Sequence, residues 1–164
     1  YSPTGEELPL MPKFGMKMHL DSEMDMITWY GRGIHENYPD RKSSEFIGSY
    51  TLPLDEFAVS YPAPQENGNR CDVRWMSFSD GNVNLRIDGL QPLCFRAWPW
   101  SEEDIENAGH PHELPERDFI NVNIDLNIHG VGCNDGWGAR TLDKYTIDGN
   151  KPYSYGFIMS CEEL

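Results

Sequence analysis

Residues 132 to 138 read GCNDGWG, a run of turn formers with a tryptophan in it. Gly, Asn and Asp tolerate left-handed backbone, and Asn and Asp close turns with their own side chains. With Asn134 and Asp135 as supports, such a turn holds its backbone by local bonds and lets the Trp137 indole project. An indole presents an apolar face that suits the CH face of a sugar, and its N–H can donate a hydrogen bond. Covering roughly 80 Å² of apolar surface contributes about 2 kcal/mol, or about thirtyfold in affinity. The competing reading is that Trp137 folds back onto its own sheet or is buried against a partner chain.

Other chemistry-bearing residues give less. His110 and His112 flank a proline, with Glu113 next. That i, i+2 spacing is a poor metal-ligand pattern, and a polar loop is the simpler reading. His19, Asp21 and Glu23 alternate as on a solvated strand face. Retaining glycoside hydrolysis needs two carboxylates about 5 Å apart. Among 27 acidic residues, spacing selects no pair. No nucleophile elbow, phosphate loop or dinucleotide fingerprint occurs. Cys71, Cys94, Cys133 and Cys161 form no CxxC pair. A chain of this size does not need disulfides, so free thiols are expected. Cys71 or Cys133 as a nucleophile would need a partner base, and none is marked nearby. No residue is assigned here to catalysis or to a metal.

These residues must be positioned by strands. Phe14, Met16, Met18 and Leu20 alternate with Lys13, Gly15, Lys17 and His19. Val83, Leu85 and Ile87 do the same, and Ile120 to Ile128 is the clearest run. Tyr153, Tyr155, Phe157 and Met159 repeat the pattern. A period of two marks half-buried strands. Asp80-Gly81 predicts a hairpin with a type I′ turn, and Asp148-Gly149-Asn150 another turn. The stretch YPAPQENG predicts an irregular loop. One helix is expected near 102–108, with Ser101 and Asp104 as a capping box and Gly109 and Pro111 as stops. The sum is one all-β domain or part-domain, 1–164, an antiparallel β-sandwich.

The formal net charge of -14, with basic residues scattered singly, excludes a counterion-releasing nucleic-acid surface and argues against anionic membranes. No apolar run approaches the roughly 20 residues of a membrane span.

Three stretches, WYGRGIHENYPDRK (29 to 42), YPAPQENGNRCDVRW (61 to 75) and NVNIDLNIHGVGCNDGWG (121 to 138), resemble in order and spacing the C-terminal domain of bacterial glycoside hydrolase family 2 β-galactosidases. The resemblance runs from about Pro9 to Cys161. It implies the second half of a galactose mutarotase-like super-sandwich. It also implies a larger enzyme whose central barrel carries the acid/base and nucleophile glutamates and binds magnesium and sodium. No cofactor is then expected in this chain. In the family a Gly-Gly-Asp-Asp-Ser-Trp turn reaches from the sandwich toward the barrel's sugar, and Trp137 matches its tryptophan. Asp135 is kept, whereas Cys133, Asn134 and Gly136 depart from the pattern. Cys133 would resist a positive φ that glycine accepts. In ENYPDR, Pro39 presets a turn that Asp40 and Arg41 can cap or pair across.

The expected partners are a β-galactoside and the barrel. A cut sandwich leaves open edges, which predicts a homodimer of the isolated chain. Three other readings compete: a free-standing carbohydrate-binding sandwich without catalysis, a subunit-contact segment, and an aldose epimerase, for which no flanking His and carboxylate stand out.

Overall fold

The computed structural model describes residues 1–5, 7–132, 135 and 137–164. The strands are β1 (Leu10–Met11), β2 (Lys13–Asp21), β3 (Met26–Gly33), β4 (Phe46–Pro53), β5 (Arg70–Ser79), β6 (Val83–Trp98), β7 (Phe119–Ile128), β8 (Ile147–Asp148) and β9 (Phe157–Glu163). Two short helices, α1 (Leu54–Phe57) and α2 (Glu102–Asn107), decorate them. Every pairing is antiparallel, and seven strands form one sheet, six in the order β2-β7-β6-β5-β3-β4 and the seventh, β9, paired to β6 off that path. β6 is long enough to change neighbours along one edge: residues 83–89 pair β9, and residues 94–98 pair β7. The all-β, antiparallel, sandwich-type architecture agrees with the sequence reading.

The core is aromatic and aliphatic. Ile27, Trp29, Phe57, Val73, Met76, Phe78, Ile87 and Phe95 are wholly buried with Ile120, Val122 and Ile124. Trp29 meets Phe57 edge-on at 5.4 Å, and Phe57 lies 5.2 Å from Phe95. The Arg70 guanidinium stacks 4.3 Å from the Phe57 ring and donates to the Gly68 carbonyl at 2.9 Å. Burial pulls its pKa down to about 10, with Glu36 and Glu45 only partly offsetting it.

Local signals held where the chemistry is local. Ser101 Oγ accepts from Asp104 N at 3.1 Å, and Asp104 Oδ2 accepts from Ser101 N at 2.9 Å, so the capping box starts α2 as expected. The Asp148 carboxylate accepts from Asn150 N at 2.9 Å and closes the second turn. The Asp80-Gly81 hairpin is present, but Ser79 pairs with Asn84, so the turn is longer than type I′. There Gly81 has φ +90, while Asp80 Oδ1 accepts from both Asn82 N and Val83 N at 2.7 Å. The aspartate organises the turn with its side chain and has no need of a positive φ.

Two strand expectations change. Tyr153 and Tyr155 precede β9 and are not in it. Their hydroxyls bond the Asp148 and Ile124 carbonyls at 2.9 and 3.0 Å, and Tyr153 packs on Phe14 at 5.5 Å. Glu23 leaves the face of His19 because the chain turns after Asp21, whose carboxylate accepts from Glu23 N at 3.0 Å.

The larger difference concerns β7. Alternation predicted a half-buried strand, yet Asn121, Asn123 and Asp125 are as buried as the apolar residues between them. Helix α2 and the loop before β5 cover that second face with polar groups. Arg96, 1% exposed, pairs with Glu66, bonds Glu102 at 2.8 Å and Asn123 at 3.0 Å, and stacks 3.3 Å from the Trp98 ring. Glu102 also takes Lys13, Lys17 and Asn121. Burial alone would raise the Glu102 pKa, but these cations outweigh it and hold the carboxyl down at about 2. Asp125 lies against Gly15, where an added Cβ would fall 1.9 Å from its Oδ1. Burial pushes the Asp125 pKa up to about 7, with Lys13 and Arg96 only partly offsetting it.

The raised Asp125 value sets a sign. Between the unfolded aspartate value and about 7, the folded state holds a proton that the unfolded state has released. Stability therefore falls with rising pH across that window, by up to about 1.4 kcal/mol per unit. Replacing Asp125→Asn is expected to flatten this slope in urea titrations run from pH 4 to 8. Parallel slopes for the two proteins would refute the assignment.

Candidate functional site

The segment 130–141 rises from the end of β7 and carries Trp137. Its foundation is a turn far away in sequence. Pro39 presets φ, and Tyr38 and Arg41 exchange backbone hydrogen bonds at 3.2 and 2.8 Å across it. The turn aims Asp40 at the segment: Oδ1 accepts from Val131 N at 3.1 Å, and Oδ2 accepts from Gly132 N at 2.8 Å and Thr141 Oγ1 at 2.9 Å. One carboxylate thus gathers both roots. Gly130 is needed beside it, because a Cβ there would lie 2.6 Å from Asp40 Oδ2 and from Thr141 Oγ1. The Gly130 N–H bonds the Tyr145 carbonyl at 2.8 Å, and His129 N bonds the Pro12 carbonyl at 2.8 Å.

The tip is held locally. Asp135 Oδ1 accepts from Trp137 N at 2.8 Å and from Ala139 N at 3.2 Å. This is the Asx-type support expected of Asp135. Gly138 takes φ +81, which glycine allows without strain. Cys133, Asn134 and Gly136 lie outside the described residues, so the expectations attached to them stay as they were. Trp137 is 94% exposed. Folding back onto its own sheet is thereby ruled out, and the indole stands free of its own chain. Beside the roots, a cleft of about 580 Å³ is lined by Leu10, His129, Val131, Arg140 and Thr141 among others.

The three motifs converge here. Asp40 ties the first to the third. Glu36 ties the first to the second: it pairs with Arg41 at 2.6 Å, accepts from Tyr61 OH and accepts from Gly68 N at 2.8 Å. Asn37 accepts from Cys71 N at 2.8 Å through its side chain and from Asn69 Nδ2 at 2.6 Å through its carbonyl. Lys42 reaches Asp72 at 2.9 Å. Arg41 and Asp40 therefore do not pair with each other; each serves a different loop.

The remaining candidates have other tasks. Glu113 Oε2 accepts from Gly109 N at 2.7 Å and from His110 N at 3.3 Å, closing a polar turn beside the stacked His110 and His112 rings. His19 stacks on Phe119 at 4.2 Å. Cys71, Cys94 and Cys161 are free thiols, as expected. Sequence reasoning missed Asp40 as the anchor. A proline-aspartate turn is visible in the sequence, but its partner lies 91 residues on.

Residues 2–159 match the family described as beta galactosidase small chain. The chain belongs to that family. It is 36% identical over 155 residues to a beta-galactosidase of Priestia megaterium, covering 94% of this chain and 15% of the relative. It is 35% identical over 156 residues to one from Pseudoalteromonas haloplanktis, covering 94% and 14%. A Streptococcus thermophilus beta-galactosidase is 32% identical over 154 residues, covering 93% and 15%. The small-chain segment thus spans about 15% of the length of such curated relatives. The resemblance carried by the three motifs is borne out at the level of family, and a free-standing module is not favoured.

For this small-chain segment, the Asp40 anchor has a measurable consequence. Burial would raise the Asp40 pKa, but the hydrogen bonds from Gly132, Thr141 and Val131 outweigh it and hold the carboxyl below the ordinary range. Its contribution is present above the unfolded aspartate value and is lost as pH falls through the lower folded value. Replacing Asp40→Ala is expected to cost about 1–3 kcal/mol and to speed amide exchange at Val131 and Gly132, leaving β3 and β5 protected. Unchanged exchange at those two amides would overturn the anchor.

Proposed function

We propose that this chain is the C-terminal part of a glycoside hydrolase family 2 β-galactosidase that removes terminal β-galactose from β-galactosides with retention. The chain supplies a sandwich scaffold and one sugar-stacking side chain, Trp137. The observation that carries this reading is an indole 94% exposed on a loop braced at root and tip. A large apolar ring kept in water by its own chain has a burial partner elsewhere, and a pyranose CH face over an indole is such a partner. The acid/base and nucleophile glutamates, and the magnesium and sodium sites, belong on this reading to the barrel of the whole enzyme. Asp125 could not serve a glycoside in any case, being 2% exposed beneath helix and loop.

In the intact enzyme, Trp137→Ala is expected to weaken galactoside and glucose binding by about thirtyfold, the value of one covered indole face. The chemical step in single-turnover measurements should change much less. If KM and the inhibitor constants of every galactoside and of glucose stay put, the stacking role is wrong. The chain alone, freed of host enzyme, should not hydrolyse a chromogenic β-galactoside; turnover would place a carboxylate pair within it.

The isolated chain also exposes apolar side chains on its strands, Phe46 at 78%, Leu90 at 69% and Ile158 at 60%. Open edges at β4 and β9 lie beside them. Self-association is the expected outcome in sedimentation equilibrium, and a clean monomer at tens of micromolar would contradict it.

A further inference from the structure

Beneath the turn that anchors the tryptophan segment lie two cysteines that the proposed function does not use. Cys71 on β5 and Cys94 on β6 are 2% and 6% exposed, enclosed by Tyr38 and Ile128. They flank the register break between the Arg70–Phe95 and Val73–Leu93 pairs. Their sulfurs are 3.5 Å apart. Cys71 Sγ accepts from Cys94 Sγ–H and from Asn69 Nδ2 at 3.3 Å, and donates to the Asn37 carbonyl at 3.5 Å.

We propose that Cys71 and Cys94 are an oxidation-sensitive dithiol that closes to an intrachain disulfide when the protein meets hydrogen peroxide. Facing residues on neighbouring strands have Cβ atoms about 4.5–5.5 Å apart, and a disulfide needs about 3.5–4.5 Å. The backbone must therefore give by about 1 Å, and this is where it can. The β5–β6 ladder is interrupted between Arg70 and Val73, and Asp72 takes φ 53 in the bulge. A pair locked in a continuous ladder would not have that freedom.

The steps balance. Cys71 sulfur, already an acceptor of two hydrogen bonds, attacks one peroxide oxygen. The O–O bond breaks, one oxygen leaves as water and Cys71 becomes a sulfenic acid. Cys94 sulfur then attacks Cys71 sulfur, the S–O bond breaks, and the hydroxyl leaves as water with the Cys94 proton. Two thiols and one peroxide give one disulfide and two waters. Donation to Cys71 and burial push the Cys94 thiol up, which keeps it protonated while the Cys71 sulfur attacks the peroxide. The disulfide removes the Cys71 S–H bond to Asn37, but the Asn37 carbonyl still accepts from Asn69 at 2.6 Å. Oxidation should stiffen this junction and not dismantle it.

The test is a peptide map of the purified protein treated with hydrogen peroxide at neutral pH, then quenched, unfolded, alkylated and digested without reductant. The expected product joins the Cys71 and Cys94 peptides, lighter by the two lost hydrogens, and vanishes on reduction. The melting temperature of the oxidised protein should rise. In Cys94→Ser, a sulfenic acid at Cys71 should be trapped by dimedone. Exposed Cys161 calibrates the dose. If Cys71 and Cys94 both remain alkylatable after Cys161 is consumed, or if they pair only with other cysteines, the proposal fails. The wild-type map alone decides this, should the variant not fold.

Discussion

Residues 93–98 of β6 and 120–125 of β7 are buried on both faces, and a covered polar face must find its hydrogen bonds inside the protein. Arg96 meets that demand. Its guanidinium spans Glu66, Glu102 and Asn123 while its plane lies on Trp98. An unpaired guanidinium there would cost several kcal/mol, so the acids must be in place before the layer can close. Glu102 brings α2 and, through Lys13 and Lys17, the edge strand β2. Glu66 brings the loop that precedes β5. The hub therefore seats the elements on which the site is built.

From that seating, the path to the tryptophan is short. The loop before β5 holds Glu36 and Asn37 through Gly68, Asn69 and Cys71. This fixes the Tyr38–Arg41 turn and therefore where Asp40 points. Asp40 then fixes both roots of the segment that bears Trp137. Each step is a charge-assisted or buried hydrogen bond, which is directional and costly to leave unmade. An exposed indole on a slack loop would have its ordering entropy still to lose. Bracing it beforehand places that cost in folding.

The legible parts of the sequence were those with short-range physics. The Ser101–Asp104 box, the Asp148 turn and the Asp135 support all act within a few residues, and the residue types alone state what they will do; at Asp80 they gave the hairpin but not its turn type. Strand β7 was legible as a strand from its period. Its burial was not, because Asn121, Asn123 and Asp125 have the look of a wet face and become buried only when α2 and the loop before β5 close over them. Tyr153 and Tyr155 misled in the same way. Their alternation reads as strand, but their hydroxyls are committed to the Asp148 and Ile124 carbonyls and their rings to Phe14.

The sequence by itself determined the all-β class, the positions of several strands and turns, the family, and a tryptophan placed among turn residues. Period and turn chemistry are properties of neighbours along the chain, so one sequence states them. The tertiary structure alone decided that Trp137 stands in solvent, that Asp40 holds its segment, that Arg96 closes a buried polar layer and that Cys71 faces Cys94. The Cys71–Cys94 and Asp40–Thr141 contacts join residues 23 and 101 positions apart. Only packing, with its demand that each buried polar group find a partner, selects them from the many that composition allows.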